Sequence, residues 1–149
     1  MLSDWKGKWL LVYFYPKDDT PGCAKEACML RDNFPKFGKL NCEVVGISAD
    51  SSESHKKFVE KYKLPFTILS DEKKEVIKKY GVWAKKKFPP SPRLRRAGMG
   101  KEYIGILRAS FLVNPAGKIV KIYENVKPDT HADEALNDMD RILKNLAQT

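Results

Sequence analysis

Residues 9–15, Trp-Leu-Leu-Val-Tyr-Phe-Tyr, form an unbroken apolar run of strand length, closed by Pro16-Lys17-Asp18-Asp19. A run without polar alternation suits a strand buried on both faces of its sheet, and it is far shorter than the roughly 20 apolar residues that cross a bilayer. Apolar period and turn residues then set the order of the other elements. A helix is predicted over 21–37, kinked or ended near Asn33-Phe34 by Pro35. Glu43–Ser48 reads as a second buried strand. A helix capped by Ser51 or Ser52 follows it to about Lys63, where Leu64-Pro65 stops it. Phe66–Leu69 reads as a short strand and Glu72–Tyr80 as a short helix ending at Gly81. Leu107–Val113 and Lys118–Tyr123 pair as a hairpin across Asn114-Pro115-Ala116-Gly117, and a last helix runs from near Thr130 to about Leu146. Residues 84–103, with three prolines and two glycines, are expected to be irregular. The class is α/β, with parallel strands and crossover helices closed by an antiparallel hairpin and a helix.

The chemistry concentrates where the first strand meets the first helix. Thr20 suits an N-cap and Pro21 the first helical position, which puts Gly22 second and Cys23 third. Backbone N–H groups of a first turn lack intrahelical partners, and the helix dipole adds partial positive charge there. A thiol in that field ionises more readily than a free one, and the thiolate is the nucleophilic form. Cys28 lies five residues on, in the same predicted helix. Helical geometry puts the two Cα atoms about 8–9 Å apart, beyond the roughly 7 Å that a disulfide spans, so the pair cannot bond while the helix is intact. Read bare, either cysteine could be an inert packed thiol, and Thr20 only a cap. Cys42, at the start of a strand and away from any motif, reads as structural. No C-x-x-C occurs, so a thioredoxin-like dithiol motif is excluded. His55 and His131 have no partner at a metal-ligand spacing, which leaves zinc or triad chemistry without support.

The 149 residues suffice for one domain, taken as 1–149. Three cysteines are an odd number, poor material for a secreted disulfide framework, and no signal peptide is evident, so a cytoplasmic protein is expected. The formal charge of +9 is uneven: Lys85, Lys86, Lys87, Arg93, Arg95, Arg96, Lys101 and Arg108 face only Glu102 between residues 84 and 109. Such a segment reads first as a solvated loop, and second as a steering surface for an anionic partner.

The string P-K-D-D-T-P-G-C resembles the peroxiredoxins, whose motif is Pro, three residues, Thr or Ser, two residues and the peroxide-attacking Cys. Pro16, Thr20 and Cys23 occupy those slots. The K-E-A-C that follows is similar to the peroxiredoxin Q or bacterioferritin-comigratory protein (BCP) subfamily. W-K-G-K (5–8), V-V-G-I-S (44–48), L-S-D (69–71), G-V-W (81–83) and R-A-S-F-L-V (108–113) also match, in family order. The resemblance implies a thioredoxin-like three-layer sandwich, a central mixed sheet flanked by helices. It implies a thiol peroxidase acting on hydrogen peroxide and organic hydroperoxides, with Cys23 as peroxidatic nucleophile, Cys28 as resolving cysteine, Thr20 and Arg108 lining the site and Pro16 shielding the thiolate. The expected cycle passes through a Cys23 sulfenic acid and an intramolecular Cys23–Cys28 disulfide, with local unwinding of about 21–30, and a thioredoxin-like protein as reductant. No metal, flavin or haem is called for. Neither a membrane nor a nucleic acid is expected as a partner, and the protein is expected to be a monomer or weak homodimer.

Two departures stand beside the likeness. The family's hairpin with G-x-x-A-P-x-F before the first strand is not found in this sequence, which starts Leu2-Ser3-Asp4-Trp5-Lys6-Gly7, so the fold is expected without it, either because the sequence is shortened or because this homologue lacks the piece. The basic, Pro-rich stretch at 84–103 reads as a loop insertion. Two other functions compete: a general protein thiol–disulfide oxidoreductase, and a module binding nucleic acid through its basic loop. The missing C-x-x-C weighs against the first, and the absence of any helix-turn-helix, zinc-finger or RNA-recognition signature against the second.

Overall fold

The computed structural model describes residues 7–87, 102–124 and 126–147. Its centre is β1 (Trp9–Phe14), buried at every position as the apolar run requires. Side chains alternate across it. Leu11, Tyr13 and the adjoining Tyr15 pack beneath three helices, while Leu10, Val12 and Phe14 face the opposite side of the sheet. Parallel to β1 lies β2 (Cys42–Ser48), and parallel to that β3 (Thr67–Ser70). On the other flank β6 (Ala109–Val113) runs antiparallel to β1, and β7 (Ile119–Tyr123) antiparallel to β6, giving the order β3-β2-β1-β6-β7. Asn114 closes the β6–β7 turn with its Oδ1, which accepts from the N–H groups of Ala116 and Lys118, and Gly117 takes the left-handed φ of +85° that the turn needs.

One face is covered by α1 (Pro21–Lys39), α2 (Ser52–Tyr62) and α4 (His131–Ala147). The opposite layer is thinner: α3 (Glu75–Lys79) and a two-stranded antiparallel ribbon of β4 (Trp83–Lys87) with β5 (Glu102–Ile106), whose Ile77, Val82 and Ile106 are buried against Phe111 and Val12. No helix among the described residues is long and apolar enough to cross a membrane.

Three expectations need correction. Residues 84–103 are not irregular at their ends, because Trp83–Lys87 pairs with Glu102–Ile106 in register Trp83↔Ile106. The expected insertion falls on 88–101, outside the described residues. Pro35 neither ends α1 nor stops its packing, for the helix continues to Lys39 and buries Phe37 completely. Burial of an aromatic side chain contributes about 1.5–3 kcal/mol, enough to offset much of the roughly 3 kcal/mol that an interior proline costs. The short helix α3 starts at Glu75, not Glu72. Asp71 takes up the N–H groups of Glu75 and Ile77 on its two oxygens and so caps a later start.

Candidate active site

The chain leaves β1 through Tyr15 and Pro16, reverses at Asp19 with a left-handed φ of 57°, and enters α1 at Thr20 and Pro21. Thr20 holds the N-cap position with extended backbone, and its carbonyl accepts the first helical bond, from Ala24 N at 2.8 Å. Its side chain does not cap the helix. The hydroxyl instead donates backwards to Lys17 O at 2.9 Å, which leaves the oxygen lone pairs free to accept. Pro16 is half-buried in the loop.

The inward residues of α1 are Cys23, Glu26, Ala27, Leu30, Asn33 and Phe37, a stripe at helical spacing. Cys23 is 1% exposed, in the first turn. Arg108, between β5 and β6, reaches over that turn: its Nη2 donates to Cys23 Sγ at 3.3 Å and its Nη1 to Glu26 Oε2 at 2.9 Å. Its backbone is fixed by Val126 N donating to Arg108 O at 3.0 Å. Gly22 makes room for the guanidinium, since a Cβ there would lie 3.0 Å from Nη2. The Arg108 side chain keeps 19% of its surface exposed, so solvent lies one residue from the sulfur.

Glu26 is the residue that motif reading missed. It is 1% exposed, and its Oε1 has no hydrogen-bond partner among the described residues. Burial pushes its carboxyl up to about 7, with Arg108 pulling the other way. Burial opposes the charge of Arg108, yet Cys23 and Glu26 hold the guanidinium firmly protonated. Tyr13 lies beneath. Its phenol is kept far from ionising, first by burial and then by its neighbours Glu26, Cys23 and Asp18. The signal for Glu26 was present in the sequence, because a glutamate three residues from Cys23 falls on the apolar stripe of its own helix.

Cys28 stands half-buried off that stripe, and the helix is unbroken between the two cysteines. Cys23, Cys28 and Cys42 are all free thiols. Cys42 is packed at the start of β2, and burial pushes its thiol up to about 12.

A second polar cluster lies beside the loop. Asp18, nearly enclosed, accepts from Tyr15 Oη at 2.5 Å, Ser54 Oγ at 2.8 Å and His55 Nδ1 at 2.6 Å. Its own N–H donates to Asp50 Oδ2 at 2.8 Å. Burial works against the Asp18 charge, but the bonds from His55, Tyr15 and Ser54 outweigh it and hold the carboxyl below its ordinary range. His55 therefore has a partner after all, 37 positions away in sequence. Asp18, Asp50 and His55 do bring ligand-type atoms within 4.8 Å of one another, but hydrogen-bond distances close the set on itself. His131, the other histidine, packs edge-on to Tyr123, and burial drives its ring down to about 4.

The chain is similar to known proteins over most of its length. Residues 1–122 match the AhpC/TSA family. Peroxiredoxin Bcp of Bacillus subtilis is 44% identical over 135 residues, which is 91% of this chain and 80% of that protein. The chloroplastic peroxiredoxin Q of Sedum lineare is 47% identical over 138 residues, 91% of this chain and 65% of that one. In structure the chain is similar to the bacterioferritin comigratory protein of Xanthomonas campestris, with a TM-score of 0.83 and 33% identity over 95% of this chain and 83% of the other. That likeness bears out the thioredoxin-like sandwich with its mixed central sheet. The chain is thus a member of the AhpC/TSA family, in the Bcp and peroxiredoxin Q group of the peroxiredoxins.

Proposed function

We propose that the protein is a thiol peroxidase in which Cys23 attacks hydroperoxides and Cys28 resolves the product. The observation that carries this reading is the 3.3 Å contact between Arg108 Nη2 and Cys23 Sγ in the first turn of α1. A fixed cation beside the sulfur stabilises charge on both the thiolate and the oxygen that leaves, without reorganisation at the moment of reaction. The sulfur forms an S–O bond as the O–O bond breaks, giving a sulfenic acid, and the departing oxygen takes a proton to leave as water or an alcohol. Thr20, its proton committed to Lys17 O, has lone pairs left to accept from the substrate's O–H. Pro16 is assigned the shielding of this pocket.

Resolution requires α1 to open. The Cys28 thiol then attacks the sulfenic sulfur, water leaves, and a Cys23–Cys28 disulfide forms. A thioredoxin-like dithiol returns both to thiols. The relative from Xanthomonas campestris has been studied for alkyl peroxide reduction, which supports organic hydroperoxides as substrates beside hydrogen peroxide. The protein is read as a monomer or weak homodimer, and its odd number of cysteines suits a cytoplasmic setting better than a secreted disulfide framework.

Peroxide consumption coupled to a thioredoxin system tests this, comparing wild type with Cys23→Ser and Cys28→Ser. The first variant is expected to be inactive. The second should complete one turnover and continue only with small thiols. Undiminished turnover by Cys23→Ser would overturn the assignment.

A further inference from the structure

The segment that must unwind is bracketed by two attachments, and both are made to the same helix. On the N-terminal side, Asp18 is held by His55 and Ser54 of α2 and by Tyr15, while its N–H bonds Asp50 just after β2. Asp19 is held by α2 as well, accepting from Lys61 Nζ at 2.7 Å and Tyr62 Oη at 2.6 Å. On the C-terminal side, three residues past Cys28, Arg31 Nη1 donates to Tyr62 O at 2.7 Å, at the end of α2. None of these bonds uses a group of residues 21–30.

We propose that α2 is a splint across the switching segment, and that His55 is the positioning residue that keeps the Thr20 end of the loop in place while residues 21–30 unwind and rewind. This rests on the peroxidase reading and adds to it a division of labour. Opening α1 breaks the Arg108 contacts to Cys23 and Glu26 but leaves the grip on Asp18 and Asp19 whole. The mouth of the helix therefore refolds against Arg108 from a fixed start instead of searching for it. His55 is fitted for this role because it is buried, it uses Nδ1 on Asp18, and its Nε2 has no partner among the described residues. Among the described residues, the hydrogen-bond contacts of its ring, to Asp18 and Tyr15, lie on the loop side.

The test separates positioning from folding. His55→Asn keeps an N–H donor near the place of Nδ1, whereas His55→Gln reaches towards that of Nε2 and His55→Leu removes the donor. Two rates are measured on the reduced protein: reaction with hydrogen peroxide in a single turnover, and alkylation of Cys23 by a small uncharged reagent in a Cys28→Ser, Cys42→Ser background. Peroxide reduction needs Thr20 and Arg108 aligned with the sulfur, whereas alkylation needs only an accessible thiolate. Since a misplacement of about 1 Å can cost about 100-fold, His55→Leu and His55→Gln are expected to lose roughly 10- to 100-fold in peroxide rate. Alkylation should stay within about threefold of wild type, and His55→Asn should recover most of the peroxide rate. Equal peroxide rates for His55→Asn and His55→Gln would overturn the proposal, and so would parallel losses in both reactions. If His55→Leu does not fold, the Asn and Gln variants decide alone. Failure of the peroxidase reading would look different, as wild type itself would leave peroxide unconsumed.

Discussion

The two halves of α1 are built on opposite plans. From Arg31 to Lys39 the helix is tied to α2 by Arg31, anchored in the core by Phe37, and finished with Lys36 and Lys39 where the dipole favours cations. From Pro21 to Leu30 it starts without a side-chain cap and without an acidic residue in its first turn, and it buries a glutamate, whereas the later half carries Pro35 and Gly38, whose cost its tertiary ties offset. The missing cap alone removes about 0.5–2 kcal/mol of the local support that helices commonly have. The contrast teaches where the proposed opening would begin, at the uncapped end that carries both cysteines, while the tie of Arg31 to α2 lies beyond it.

Arg108→Ala should widen the contrast most. It removes the cation over Cys23 and strands Glu26 in the core, so single-turnover peroxide reduction is expected to fall about 100- to 1000-fold. That loss should exceed any fall in thiolate fraction measured by alkylation, and equal losses in the two would mean that positioning of the oxygen matters little. Phe37→Ala attacks the stable half. It should cost about 3–5 kcal/mol in denaturant unfolding while leaving the peroxide rate of folded molecules nearly intact. If both halves share one cooperative unit, activity will fall with stability.

Glu26→Gln tests the buried charge. With its carboxyl raised to about 7 by burial, the folded protein keeps a proton that the unfolded chain releases at its ordinary 4.5. This group therefore adds stability as pH falls from about 7 towards 4.5 and withdraws it above 7. Asp18 acts in the opposite sense, its lowered carboxyl adding stability that is lost as acid titrates it. Melting temperatures at pH 5 and pH 8 should show a smaller gap in Glu26→Gln than in wild type, if the Glu26 contribution is as described. Gly22→Ala is the mildest change. The added methyl displaces Nη2, and a roughly tenfold slower reaction with peroxide is expected at almost unchanged melting temperature.

How much of this could be read beforehand depended on the range of the interaction. The run at 9–15 named its strand because burial on both faces leaves no polar period to misread. The T-P-G-C string put Cys23 in a first turn because capping is a local affair. Thr20 shows the limit even of local reasoning, since its hydroxyl chose the Lys17 carbonyl over the helix. Contacts between distant segments left weaker traces. The ribbon of β4 and β5 joins residues across a Pro- and Arg-rich stretch whose composition signalled only irregular chain. Asp18 and His55 meet because β1, β2 and α2 converge, and nothing in a charged helix announces that.

The raised thiol of Cys42, which lies outside the segment proposed to open, gives the molecule a built-in reference for thiol counting. Under native conditions a mild electrophile should label only the pair on α1, and the third sulfur should respond after denaturation alone. A mass shift taken before and after unfolding therefore reads the state of the reactive pair against an internal standard, without removing any cysteine.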